Sequence, residues 1–253
     1  MPLPISKSQI DRLGQRLIAP EPSTDDDLAL LEAVLIAYAG TVADARQMLD
    51  VLENGKVRDV SITGRAKTTQ TTLEKLVRNK SRLSSIEDLA GVRIVADMTL
   101  SEQDALVDQV CALFGGAECC RVVDRRTDPR AGYRAVHVVT KLDGMPLEIQ
   151  VRTKCQDAWA NLFEATADSF GRGIRYGEPA TPMADAAIDA KVADLVEAII
   201  MASDGIYRQE QLIDDLDDAN RPSLNDVWEW LANETREMRE LKQALRRQTG
   251  AES

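Results

Sequence analysis

Two alternating runs flank the dipeptide Asp143-Gly144, and no other feature constrains the fold of this chain as much. Asp-Gly between alternating apolar and polar residues is a strong hairpin signal, because both central residues of the tight turn take positive φ. It predicts that the strand from Tyr133 to Leu142 lies antiparallel to the strand from Pro146 to Val151. Leu147, Ile149 and Val151 alternate with Glu148, Gln150 and Arg152. One face of that strand is therefore apolar, and the other carries an acid, an amide and a guanidinium. Half-exposed strands commonly have a charged outer face, so a functional role depends on what other stretches bring to it.

Helical patterns frame this hairpin. Leu28, Leu31, Leu35, Tyr38, Val42, Ala45, Leu49 and Leu52 recur at steps of three and four, making one stripe along a helix of about seven turns. Ser23 or Thr24 can cap its start, the acids at 25–27 suit the positive end of its dipole, and Asn54-Gly55 can end it. A second pattern runs from Ile188 to Leu216, and a third takes Val227, Leu231, Met238, Leu241 and Leu245 with Ser223 or Asn225 as cap. Between the helices, Val57 to Thr63, Val92 to Ala96 and Cys119 to Asp124 read as further strands, separated by helical stretches near 68–79 and 101–114. The expected fold is α+β, with some α/β character: a mixed sheet of about five strands with flanking helices, and long N- and C-terminal helices. The expected organisation is a helical region over 1–55, a core over 56–170, a turn-rich loop GRGIRYGEPATP at 171–182 and C-terminal helices over 183–253.

Composition removes several classes of function. The only histidine is His137, and Cys111, Cys119, Cys120 and Cys155 show no CxxC spacing, so a Cys/His zinc site is not expected. Read by its apolar runs, the chain is not expected to span a bilayer, which takes ~20 residues, and its first residues lack the apolar centre of a signal peptide; a cytoplasmic protein with no membrane partner is expected. The net charge is −11, yet residues 56–134 hold 14 Lys/Arg against 11 Asp/Glu. A locally positive segment in an acidic chain suits a confined anion site better than a long nucleic-acid track.

Three stretches could supply the chemistry. In GRAKTTQTTLEK, 64–75, a strand ends at a glycine and a helix begins near Arg65, Lys67, Thr71 and Lys75; the free amides of a helix start favour phosphate, although this is no Walker loop. In EDLAGVRIVAD, Asp88 precedes a buried strand from which Arg93 projects to the polar side. Asp88 and Glu148 form a candidate carboxylate pair for Mg2+ that also contacts substrate phosphates; the plainer reading makes Asp88 a turn cap answered by Arg93. In PRAGYRAVH, Tyr133, Ala135 and His137 share a strand face, where tyrosine offers a flat surface to a base and histidine a hydrogen bond near a phosphate. A lone strand histidine is more often structural.

Together these spacings resemble the synthetase domain of the RelA/SpoT family, the alarmone pyrophosphokinases, over roughly residues 56–164. The motifs that carry the resemblance are Arg65, Lys67, Thr71 and Lys75; Asp88 to Arg93; Gly132 to His137; Glu148 to Thr153; and Trp159-Ala160. The resemblance implies a nucleotidyltransferase-like sheet that moves the pyrophosphate of ATP to a ribose 3′-hydroxyl and releases AMP. It implies that Arg65, Lys67 and Lys75, with Thr71 and Arg93, hold ATP, and that Asp88 binds magnesium. Tyr133 would stack on the acceptor base, with His137, Gln150 and Arg152 beside it. Glu148 would serve magnesium or deprotonate the hydroxyl. With one histidine, the chain looks like a small, synthetase-only form without the family's metal-dependent hydrolase.

Departures fall on the acceptor side. After Trp159-Ala160 the family usually has Glu-x-x-His and then Tyr-Lys, whereas here Asn161 and Glu164 stand at the acid and histidine positions. Arg172, Arg175 and Tyr176 in the following loop are candidates to replace those contacts. The expected activity is an ATP:nucleotide 3′-pyrophosphokinase acting on GDP or GTP to give (p)ppGpp. One alternative is a toxic small alarmone synthetase that uses an adenosine nucleotide or the tRNA 3′ end, with an antitoxin partner. Another is a catalytically silent nucleotide-binding or interaction protein. The acidic net charge counts against tRNA, while Arg121, Arg125, Arg126 and Arg130 provide a local basic patch. Striped terminal helices and the resemblance suggest a homo-oligomer.

Overall fold

The computed structural model describes residues 3–54, 57–182, 186–216, 227–231 and 233–236. They divide into two compact units. One comprises the chain up to Ile94 with Ala105–Val123 and His137–Val151; the other comprises Val95–Asp104, Asp124–Val136 and the chain from Arg152 onward.

The first unit opens with α1 (Lys7–Leu17) and α2 (Asp25–Leu49), followed by a 3-10 turn, then β1 (Arg58–Ala66) and α3 (Thr69–Asn79). It takes most of β2 (Ala90–Asp97), α4 (Leu100–Leu113), β3 (Arg121–Asp124), β4 (Val136–Leu142) and β5 (Met145–Thr153). The five strands form one mixed sheet in the order β1-β2-β5-β4-β3, as the alternation predicts. Thr24 caps α2 by accepting from the Asp27 amide at 3.1 Å, and its expected stripe is buried from Leu31 through Leu49. β1 lies close on α2: a Cβ added at Gly64 would come within 2.4 Å of Val42 Cγ1. This Gly64 does not end the strand as expected, since β1 continues through Arg65 to Ala66.

Contrary to the sequence reading, one stretch within Asp25–Leu52 is long and apolar enough to cross a membrane by length and composition, with mean hydropathy 1.6 over eighteen residues. Alanines between the stripe residues raise its hydropathy. The stripe itself is core, with Leu31, Tyr38, Ala45 and Leu49 enclosed.

The hairpin forms as expected, with Asp143 at φ 51° and Gly144 at φ 81°. Along β5, Met145, Leu147, Ile149 and Val151 are buried while Glu148 and Gln150 are half-buried. The strand expected from Tyr133 begins only at Val136. Ala131 at φ 47° and Gly132 at φ 81° turn the chain, and an isolated Arg130–Tyr133 bridge closes the turn. Tyr133 therefore sits on a turn and does not share a strand with His137.

The second unit is largely helical: α5 (Lys154–Phe170), a 3-10 turn at Arg172–Tyr176, and α6 (Ala186–Asp214). Thr153 and Gln156 form a capping box at the start of α5. Trp159 stacks on Phe163 at 4.8 Å and donates to the Ile199 carbonyl at 2.7 Å, so α5 and α6 share one apolar cluster with Phe170 and Ile174. Of the third helical pattern, Val227 and Leu231 lie in helical residues and Leu231 is buried; Met238, Leu241, Leu245, and the caps Ser223 and Asn225 fall outside the described residues, as does Gly55.

Candidate active site

The first unit carries two acids held by cationic and polar side chains. Beyond β1, the Lys67 amide donates to the Leu89 carbonyl at 3.0 Å, which draws the entry to α3 beside the turn before β2. Asp88 in that turn receives a lysine on each oxygen. Lys67 Nζ lies 3.1 Å from Oδ2, and Lys75 Nζ, from the middle of α3, donates to Oδ1 at 2.7 Å. The plainer expectation of an Asp88–Arg93 pair is thus replaced by a Lys67–Asp88–Lys75 cluster. Thr68 caps α3 by accepting from the Thr71 amide, and the Thr71 hydroxyl donates back to the Thr68 carbonyl at 3.1 Å. Arg65 is exposed on β1, and Arg93 is half-buried on β2.

Glu148 is held just as closely. Its Oε1 meets His137 Nδ1 at 2.9 Å, and its Oε2 accepts from Gln150 Nε2 at 2.9 Å. Burial opposes ionisation of this carboxyl, but the hydrogen bond and charge of His137, the Gln150 amide and the charge of Lys75 outweigh it and bring the group down to about 2. Lys75 therefore acts on both acids. Among the described residues no three His, Cys, Asp or Glu side chains gather as a metal cage. One or two carboxylates beside lysines suit magnesium, which usually keeps waters and is bound through one or two carboxylates plus phosphates.

In the second unit Tyr133 is fixed by charge and packing. Arg152, 2% exposed, donates from Nη2 to the Tyr133 hydroxyl at 2.9 Å, and its Cζ lies 5.1 Å from the ring centroid. The turn before Tyr133 is built for close approach: a Cβ at Gly132 would come within 2.8 Å of Trp159, and Ser203 of α6 donates to the Gly132 carbonyl. Arg134 anchors the same turn to α6 through Asp204 and lies 4.4 Å from the Tyr207 ring centroid.

Arg172 and Arg175, expected at the acceptor, both turn to Asp168 on α5, at 3.5 and 2.8 Å. Arg175 also donates to the Glu164 carbonyl, while Tyr176 and Glu164 are exposed. The loop is nonetheless tied to the Tyr133 surroundings, since Tyr133, Ile174 and Ala180 pack on the same apolar cluster.

Several residues escaped the sequence reading. Asp157 accepts from Arg152 Nη1 at 2.9 Å on Oδ1 and from Asn161 Nδ2 at 2.9 Å on Oδ2. The i,i+4 spacing of Asp157 and Asn161 was its only local signal. Glu210 of α6 is buried against Thr153 and Gln156, whose amide group also bonds Gln103 at 2.9 Å. Burial pushes its carboxyl up to about 7 despite those hydrogen bonds. Partners this distant in sequence left no signal.

The region found in RelA / SpoT proteins matches residues 64–168, which hold every site residue named above from the Lys67–Asp88 cluster to Asn161. The chain is 36% identical to Uncharacterized protein Rv1366 of Mycobacterium tuberculosis over 210 residues, covering 82% of this chain and 75% of that protein. It is 33% identical over 119 residues to Probable GTP diphosphokinase RSH2, chloroplastic, of Oryza sativa, covering 42% of this chain and 15% of the rice protein. A GTP Pyrophosphokinase Family Protein from Streptococcus pneumoniae shares the fold at TM-score 0.52 and 19% identity, over 83% of this chain and 98% of that one. By matched region and by relatives, the chain belongs to the RelA/SpoT family.

Proposed function

We propose that the protein is a cytoplasmic ATP:nucleotide 3′-pyrophosphokinase that transfers the pyrophosphate of ATP to the ribose 3′-hydroxyl of GDP or GTP and releases AMP. The observation that carries this reading is Lys75, which donates to Asp88 and whose charge also lowers the proton affinity of Glu148. Phosphoryl-group transfer needs neutralising cations and a fixed line of attack more than it needs an exotic nucleophile. Lys67 and Lys75 exchange Asp88 for the phosphate chain, and Arg65, Thr71 and Arg93 line its approach. That exchange frees Asp88, and Asp88 with Glu148 would hold magnesium, which would supply charge neutralisation for the phosphates. Glu148 stays ionised across the physiological range, the form that accepts a hydrogen bond from the attacking hydroxyl; His137 and Gln150 keep it oriented. Tyr133 offers its ring to the acceptor base, held by Arg152.

Asn161 and Glu164 at the family's acid and histidine positions favour a second reading, in which an adenosine nucleotide or the tRNA 3′ end replaces the guanine nucleotide. Incubation with magnesium, labelled ATP, and GDP, GTP, AMP or deacylated tRNA in turn separates the two. With the label on the terminal phosphates of ATP, a 3′-pyrophosphorylated guanine nucleotide supports the first reading, 3′-pyrophosphorylated AMP or labelled RNA the second, and no transfer to any acceptor overturns both.

A further inference from the structure

The side chains behind Tyr133 form a continuous relay that ends at a residue the reaction itself does not use. Asp157 commits each carboxylate oxygen to a different donor: Oδ1 to Arg152 Nη1 and Oδ2 to Asn161 Nδ2, both at 2.9 Å. Arg152 is buried and spends its other terminal nitrogen on the Tyr133 hydroxyl. A buried guanidinium cannot trade a lost protein partner for water, so the position of Asp157 fixes that of Arg152, and Arg152 fixes the tilt of the ring.

Asn161 sits one turn beyond Asp157 on α5, half-buried. As a neutral amide it donates to Asp157 without competing for Arg152. An acid at this position would set two carboxylates one helical turn apart, which repel, and would offer Arg152 a rival partner. We propose that Asn161 is a positioning residue for the acceptor pocket: through Asp157 and Arg152 it fixes the plane of the Tyr133 ring, and so decides how a nucleobase stacks there. The assignment rests on the reading of Tyr133 as the acceptor's stacking surface.

The test uses the full chain labelled with 3-fluorotyrosine; four tyrosines give four fluorine signals, and Tyr133→Phe identifies the one that matters. In Asn161→Asp the Tyr133 signal moves or broadens while the other three stay, and Asn161→Ala moves it in the same way. The acceptor KM rises about tenfold, the ATP KM stays within about twofold, and Asn161→Gln, which keeps the amide donor, returns both readouts toward wild type. An unmoved Tyr133 signal in Asn161→Asp overturns the relay, as does an equal rise in both KM values. If the wild type transfers pyrophosphate to no acceptor, the functional reading falls, while the fluorine signal still decides the relay.

Discussion

Lys75 donates to Asp88 across 2.7 Å, and the lysine that neutralises this acid is also one of the charges that hold Glu148 ionised. Lys67 closes on the other oxygen of Asp88 at 3.1 Å. Without nucleotide the carboxylate thus occupies the lysines that a phosphate chain would claim. In the proposed reaction, binding of ATP would exchange one anion for a more highly charged one and would leave Asp88 free to act as a ligand.

Lys75→Met removes the shared cation while keeping a long side chain. ATP affinity should fall about ten- to a hundredfold, measured by calorimetry with a non-hydrolysable analogue. Thermal stability should change little, because the pair is about a quarter exposed on both sides and solvent screens it.

Glu148→Gln keeps the shape of the side chain and removes its charge. Turnover should drop at least about a hundredfold, with ATP affinity much less affected. The carboxyl lies at about 2 in the folded chain against an ordinary 4.5, so its contribution to stability is full above 4.5 and is lost as pH falls through about 2. A denaturation series over that range should show a shallower acid limb in Glu148→Gln than in the wild type.

Glu210 has the opposite sign. Its carboxyl is raised from 4.5 to about 7, so the folded chain binds the extra proton between those values, and stability falls as pH climbs from 4.5 through 7. The loss amounts to about 3 kcal/mol at most. Glu210→Gln, a mimic of the protonated acid, should match the wild type in urea midpoint at pH 5 and exceed it at pH 8.

Gly132→Ala combines a positive φ with a Cβ 2.8 Å from Trp159. It should destabilise the fold by about 1–3 kcal/mol and raise the acceptor KM more than the ATP KM, since the turn it distorts carries Tyr133. Equal losses would show that the turn has no special bearing on the acceptor.

What was legible in the sequence was what local rules write. The α2 stripe with Thr24 at its head and the Asp143-Gly144 turn each need only neighbours along the chain, and each stands where expected. Helix α1 also carries a local signal, the capping box of Ser6 and Gln9, which the sequence analysis does not use. Alternation alone extended β4 back to Tyr133, since period-two patterning does not show that Ala131 and Gly132 turn the chain. The lysines around Asp88 were found as residues but not as its partners, and Glu210 carried no signal of its own. Such partners come from distant segments, and the fold alone brings them together.

The most direct test of the central claim follows both halves of ATP in one reaction, with the adenosine and the terminal phosphates separately labelled, magnesium present and a nucleotide acceptor added. The expected result is one AMP released for each pyrophosphate found on the acceptor 3′-hydroxyl, with both signals lost together in Glu148→Gln. Formation of ADP, or AMP released with free pyrophosphate and no labelled acceptor, would contradict it.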